Sequence, residues 1–188
     1  MSMVSRPRPD PKELHEVPSF REIYESWFDY VWRTLKRLGV RDAELEDAAQ
    51  EVFVVVHRRL DDYDPSRPLR PWLAGIAYKV AARERRRPRH TREQFTDDRA
   101  LTERPCHGPD PERAVQTQQR RARVIEALST LDPERRIIFV MHEIDGTPCP
   151  EIGEALGVPL NTVYSRLRIA RLRFKASMDR LRLRGGEA

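Results

Sequence analysis

The sequence predicts an all-α chain of two small helical domains joined by a flexible linker, and three observations carry that reading. Apolar residues recur at spacings of three and four along most of the chain, the period of a helix with one buried face. The stretch 89–112 combines Pro105, Pro109 and Pro111 with scattered acids and few apolar groups, which divides the chain into two units. Finally, the strand-like run Val52 to Val56 lies between Glu44-Leu45-Glu46-Asp47 and His57-Arg58-Arg59-Leu60, which extend it to helix length. The expected boundaries are a disordered arm over 1–18, a first domain over 19–88, the linker over 89–112 and a second domain over 113–184.

The elements follow in order. Pro7, Pro9, Pro11 and Pro18 without any apolar period make the first 18 residues an arm. Ser19 and Glu22 form a capping box before a stripe of Phe20, Ile23, Tyr24, Trp27, Val31, Leu35 and Leu38, and Gly39 ends that helix. A second helix runs from about Asp42 to Leu60, apolar nearly all round and therefore central. Asp61 to Pro71 is a constrained loop with three prolines, and Pro71 suits the first position of a third helix. Leu73, Ile76, Ala77, Val80 and Ala81 face inward there.

Beyond the linker, Val124, Ile125, Leu128 and Leu131 stripe a fourth helix. Asp132-Pro133 caps a fifth, with Ile137, Ile138, Val140, Met141 and Ile144 inside and Gly146 as its stop. A short helix from about Pro148 to Leu156, a turn at Gly157-Val158-Pro159 and a longer helix from Leu160 make a helix-turn-helix pattern. The inward stripe of that last helix is Leu160, Val163, Leu167, Ala170 and Phe174.

Composition narrows the function. Charged residues are 35% of 188 and the net charge is +5. Of the basic residues, 31 are Arg and 4 Lys, and Arg is the better bidentate partner for phosphate and guanine. The charge is concentrated: 61–92 carries +5 and 160–188 carries +6, while the other segments are neutral or acidic. Two basic blocks on two folded units point to nucleic acid. The longest apolar run is five residues, so no membrane insertion is expected, and no signal peptide opens the chain. A soluble, cytoplasmic protein is the expectation. Cys106 and Cys149 cannot build a disulfide framework, and Cys106-His107, His142 and Cys149 have no standard zinc spacing, so no metal or cofactor is expected. Nor is there a phosphate loop or a nucleophile–base pair, which argues against an enzyme. Asp61-Asp62 and Asp64 read as turn formers beside Pro65-Ser66-Arg67 rather than as a metal loop.

On the last helix the inward stripe sets Asn161, Ser165 and Arg168 on the opposite face, with Thr162 and Ile169 beside them and Arg166, Arg171 and Arg173 at the flanks. Such residues can reach base edges and phosphates in a major groove. In the first domain Tyr63, Trp72 and Tyr78 flank the proline-rich loop and the basic helix, where aromatic rings can stack on unpaired bases.

These residues carry a resemblance. Asp47-Ala48-Ala49-Gln50-Glu51-Val52-Phe53, Tyr63-Asp64-Pro65-Ser66-Arg67 and Pro71-Trp72-Leu73-Ala74-Gly75-Ile76-Ala77 resemble region 2 of bacterial sigma factors. Leu128-Ser129-Thr130-Leu131-Asp132-Pro133-Glu134-Arg135-Arg136 resembles the opening of region 4, and Glu151 to Pro159 with Thr162 to Leu167 resembles its helix-turn-helix. Both in order, with no domain between them, are similar to the extracytoplasmic-function (ECF) group of the sigma-70 family.

The resemblance implies that Asp47, Gln50, Glu51 and Phe53 bind core RNA polymerase. It assigns −10 contacts to Tyr63, Asp64, Ser66, Arg67, Arg70, Trp72, Lys79, Arg83 and Arg86. It assigns −35 contacts to Asn161, Thr162, Tyr164, Ser165, Arg166, Arg168, Arg171 and Arg173. The implied partners are core RNA polymerase, promoter DNA and an anti-sigma factor. The chain departs from the family pattern at His57, Lys79, Arg83 and Ile169. Two rival readings remain open, a stand-alone helix-turn-helix regulator and a decoy that binds polymerase without opening promoters.

Overall fold

The computed structural model describes residues 18–86 and 111–184, with 111–116 described as helical backbone only. The arm expected over 1–18, save Pro18, and nearly all of the linker expected over 89–112 lie outside the described residues. All regular structure among the described residues is helical.

Helix α1 spans Phe20–Arg37, and its capping box forms as expected, with Ser19 Oγ accepting from the Glu22 amide at 3.3 Å and Glu22 Oε2 accepting from the Ser19 amide at 2.8 Å. Gly39, at φ +84°, turns the chain out of it. A 3₁₀ turn at Asp42–Glu44 leads into α2, Leu45–Arg59, which buries Leu45, Ala48, Ala49, Val52, Phe53 and Val56. Helix, not strand, is therefore the state of the β-branched run. It is not buried all round, because Val54 is 47% exposed. A second 3₁₀ turn, Leu60–Asp62, opens the loop to α3, Leu69–Arg86. That helix begins two residues earlier than expected, so Pro71 falls third in its first turn, where no amide partner is lost.

In the C-terminal unit α4 spans Pro111–Ser129 and α5 spans Pro133–Phe139. The Asp132 side chain caps α5 by accepting from the Arg135 amide at 3.1 Å. α5 then widens into a π turn, Val140–Ile144, closed by the Asp145 amide on Val140 O at 3.0 Å. The extra residue in that turn advances the helical phase, so Ile144, expected inside, is exposed and Asp145 is drawn in. Helices α6, Cys149–Leu156, and α7, Leu160–Arg184, complete the chain.

The helices on either side of the expected linker occur in the expected order, and their interiors are not separate. Ile23, Leu35, Val52, Leu73 and Ile76 of the first unit share one buried cluster with Ile137, Ile138, Met141, Ile152 and Val163 of the second. The junction is chiefly α6 lying against α3, with α5 also meeting α3 and α4 meeting α1. A Cβ on Gly75 would stand 2.8 Å from the Ala155 carbonyl oxygen, so only glycine admits this approach. A smaller cluster of Leu128, Leu131, Phe139, Val140 and Ala170, covered by Val124, Ile125 and Phe174, holds α4, α5 and α7 together.

Candidate nucleic-acid interface

The helix-turn-helix is built from a short list of backbone constraints. Pro148 precedes α6 and Pro150 sits in its first turn, where a missing amide costs little. Gly157 ends α6 at φ +68°, and the amides of Gly157 and Val158 return to Glu154 O and Gly153 O at 3.2 and 2.9 Å. Val163, Leu167 and Ala170 are buried, as the stripe predicts, although Leu160 at its start is 39% exposed. Asn161, Tyr164, Ser165, Arg168, Arg171 and Arg173 consequently face solvent, with Thr162, Ile169 and Arg166 half-buried.

The arginines of that face differ in commitment. Arg166 pairs with Glu134, Arg171 with Glu143 at 2.7 Å, and Arg173 lies 3.8 Å from Asp132. Arg168 has no ion-pair partner among the described residues and projects from the middle of the exposed face. Ser165 Oγ donates to Thr162 O at 3.0 Å, so its hydroxyl is folded onto the helix backbone and keeps its lone pairs for a donor.

The loop before α3 is held by its own side chains. Asp64 Oδ1 accepts from the Ser66 hydroxyl at 2.6 Å and from the Ser66 amide at 3.0 Å, the turn expected from Asp-Pro-Ser. These two hydrogen bonds, with help from Arg67, hold the Asp64 carboxyl below the usual carboxylate range. Tyr63, a −10 candidate for base stacking, is only 8% exposed; its hydroxyl donates to Arg67 O and its ring lies 5.0 Å from that of Trp72. Its position is that of a prop for the loop. Trp72 is half-buried, while Asp64, Ser66, Arg67, Arg70, Lys79, Arg83 and Arg86 are exposed. The Arg70 guanidinium rests over the rings of Trp27 and Tyr30, at 5.6 and 5.4 Å.

On α2, Asp47 and Gln50 are exposed and Glu51 is half-buried in an ion pair with Arg83. Phe53 is 3% exposed, so it forms the floor of a groove rather than a free contact. The groove, about 410 Å³, is lined by Phe20, Tyr24, Phe53, Val54 and His57. Tyr24 and Val54 are exposed at its rim, and sequence reasoning set both aside as core. The departure at His57 has a use here: its ring meets Phe20 edge-on at 5.0 Å.

The two basic blocks meet. Tyr78, Arg85 and Arg86 of α3 face Arg135 and Arg166 across a cleft of about 540 Å³, with Asp132 and Glu134 between them. Burial and the neighbouring Arg85 charge both push the Arg136 guanidinium below its ordinary value. It is offset by three carbonyls, with Arg136 donating to Leu38 O, Ser129 O and Leu131 O at 3.1, 2.9 and 2.9 Å. No helix of the described residues is long and apolar enough to cross a membrane.

A basic helix-turn-helix joined to a helical bundle with a basic, aromatic-bearing loop defines a two-module nucleic-acid-binding protein. The sigma-70 region 2 family model matches residues 23–91 and the sigma-70 region 4 model matches 121–174. The chain is 33% identical over 156 residues to the ECF RNA polymerase sigma factor SigE of Mycolicibacterium smegmatis, covering 82% of this chain and 60% of SigE. It is 31% identical over 150 residues to the RNA polymerase sigma factor CnrH of Cupriavidus metallidurans, covering 77% and 78% of the two chains. The structure of CnrH in complex with the cytosolic domain of CnrY matches the fold at a TM-score of 0.60 and 24% identity, over 85% of this chain and 87% of that one. RpoE of Bartonella quintana, solved with the anti-sigma factor NepR, matches at a TM-score of 0.62 and 17% identity, over 85% and 96%. The chain belongs to the sigma-70 family, in its extracytoplasmic-function group, and is a transcription initiation factor.

Proposed function

We propose that this chain binds core RNA polymerase through α2, directs it to promoters whose −35 element α7 reads, and captures the opened −10 element on the loop and basic face of α3. The observation that carries this is the exposed face of α7. With Val163, Leu167 and Ala170 buried, Asn161, Ser165 and Arg168 stand together beyond a turn fixed by Gly157. Asn suits adenine, Arg suits guanine, and the flanking arginines suit phosphates.

Asp47 and Gln50, with the apolar rim of Tyr24 and Val54 beside them, supply a mixed face for a helical partner on polymerase. Arg67, Arg70, Lys79, Arg83 and Arg86 supply the charge for a single strand, and Trp72 supplies a ring. Opening the duplex costs a few kcal/mol per extruded base and is driven by binding energy, so the chain catalyses no reaction of its own. It works in the cytoplasm, on the nucleoid once bound to polymerase. RpoE of Bartonella quintana was solved with an anti-sigma factor, and an anti-sigma factor is the partner proposed for the silent state.

Footprinting of DNA upstream of the chain's own gene tests this. Protection of two separated patches that needs core polymerase is the expected result. Tight protection of duplex DNA by the chain alone would favour the stand-alone regulator, and polymerase binding without protection would favour the decoy.

A further inference from the structure

Polar groups along the seam between the two units are mostly matched. Tyr30 Oη donates to Asp145 Oδ2 at 2.7 Å, Arg37 lies 3.9 Å from Oδ1, and Arg67 pairs with Glu154 at 3.3 Å. The cleft of about 540 Å³ between α3 and the C-terminal unit is different. Guanidiniums of Arg85, Arg86, Arg135 and Arg166 line it, against the carboxylates of Asp132 and Glu134. Both acids are already engaged, Asp132 by Arg135 and Glu134 by Arg166. Arg85 and Arg86 therefore face the cleft with no carboxylate partner among the described residues.

Three observations show an unmet demand for an anion there. Arg85 Nη1 donates to Leu38 O at 3.1 Å, and burial with the Arg86 charge pushes its guanidinium below the ordinary value. Arg135 Nε is buried with no hydrogen-bond partner among the described residues. Burial, and then the same Arg85 charge, lower Arg136 as well. Phosphoryl oxygens answer this demand, because they match the planar fork of arginine bidentately. Several phosphoryl groups in one molecule can reach guanidiniums carried on three different helices. The volume suits a small ligand, whose sites span roughly 300–1,000 Å³. A concave wall bearing two acids fits a duplex backbone poorly. Tyr78, half-buried at the same cleft, offers a ring on which a base can stack.

We propose that this cleft is a binding site for a polyphosphate anion, inorganic or carried by a nucleoside, held by Arg85, Arg86, Arg135 and Arg166. Arg86 and Arg166 are also promoter candidates, so an occupied cleft withholds both from DNA; this consequence alone rests on the function proposed above. Tyr78, Arg85 and Arg135 belong to the cleft and to no promoter or polymerase assignment.

Isothermal titration calorimetry of the full chain tests the site without polymerase or DNA, so its outcome is separate from that of the proposed function. Inorganic triphosphate and ATP are the probes, in magnesium-free buffer. One site per chain is expected, weakened about tenfold or more in Arg85→Gln and in Arg135→Gln, the loss of a charge-assisted contact. Gln at position 85 still carries a donor for Leu38 O, and a thermal melt without ligand checks that each variant is folded. Arg182→Ala, on the exposed last turn of α7, is expected to bind as the wild type does. Tighter binding of ATP than of triphosphate, lost in Tyr78→Leu, would assign the ligand to nucleotides; equal affinities would assign it to inorganic polyphosphate. No binding of either probe, binding untouched by both cleft variants, or equal weakening by Arg182→Ala would overturn the site.

Discussion

Asp132 shows how one side chain serves fold and site together. Burial alone would raise its carboxyl, but the amide and guanidinium of Arg135 outweigh it and hold the group below its ordinary value of 3.8. Its contribution is therefore complete above the unfolded pKa and is lost as pH falls through the lower folded one. Asp132→Ala is expected to cost about 1 kcal/mol near neutrality, as helix caps do. That cost should hold above about pH 5 and shrink in stronger acid, as urea unfolding at several pH values will register. Arg168 makes the opposite case. Its neighbours are held by Glu134, Glu143 and Asp132, so Arg168 is the cation whose removal disturbs least inside the molecule. Arg168→Ala should leave the melting temperature unchanged and weaken binding to −35 duplex by about 1–3 kcal/mol, measured by fluorescence anisotropy with purified holoenzyme.

At the scale of elements, the helices were legible because each carries a local signal: the Ser19–Glu22 box, Asp132-Pro133, and the stripe of Val163, Leu167 and Ala170. The turn of the helix-turn-helix rests on Gly157 in the left-handed region. Gly157→Ala meets no steric neighbour, since nothing lies within 4 Å of a Cβ there. Its expected cost is thus the backbone penalty alone, about 1–2 kcal/mol, read as a lower denaturation midpoint. Where local signals ran out, so did the sequence reading. The π turn after Phe139 has no residue pattern that announces it, and the phase shift it brings exchanged Ile144 for Asp145 at the seam. Tyr63 looked like a stacking ring because aromatic rings beside arginines do that; its burial depends on the hydroxyl finding Arg67 O across the loop, a contact no spacing encodes. Tyr24 and Val54 were absorbed into stripes wider than the face the bundle buries.

For the whole molecule, the sequence reads as a bundle followed by a helix-turn-helix but is silent on how they meet. Their shared core depends on Gly75, Asp145, Tyr30 and Arg136, four residues from distant points whose meeting is a tertiary fact. The candidate faces for polymerase, for the −35 element and for most of the −10 loop are exposed in this form, with Arg67 and Arg70 also meeting Glu154 and the Asp145 carbonyl of the other unit.

Run-off transcription tests the central claim most directly, using purified core polymerase and a template carrying the DNA upstream of the chain's own gene. The account predicts initiation from one start site that needs this chain and falls by about tenfold or more with Arg168→Ala, the loss of one base-reading contact. Equal initiation with and without the chain, or full activity of the Arg168 variant on a promoter that needs the chain, would contradict the assignment of promoter reading to α7.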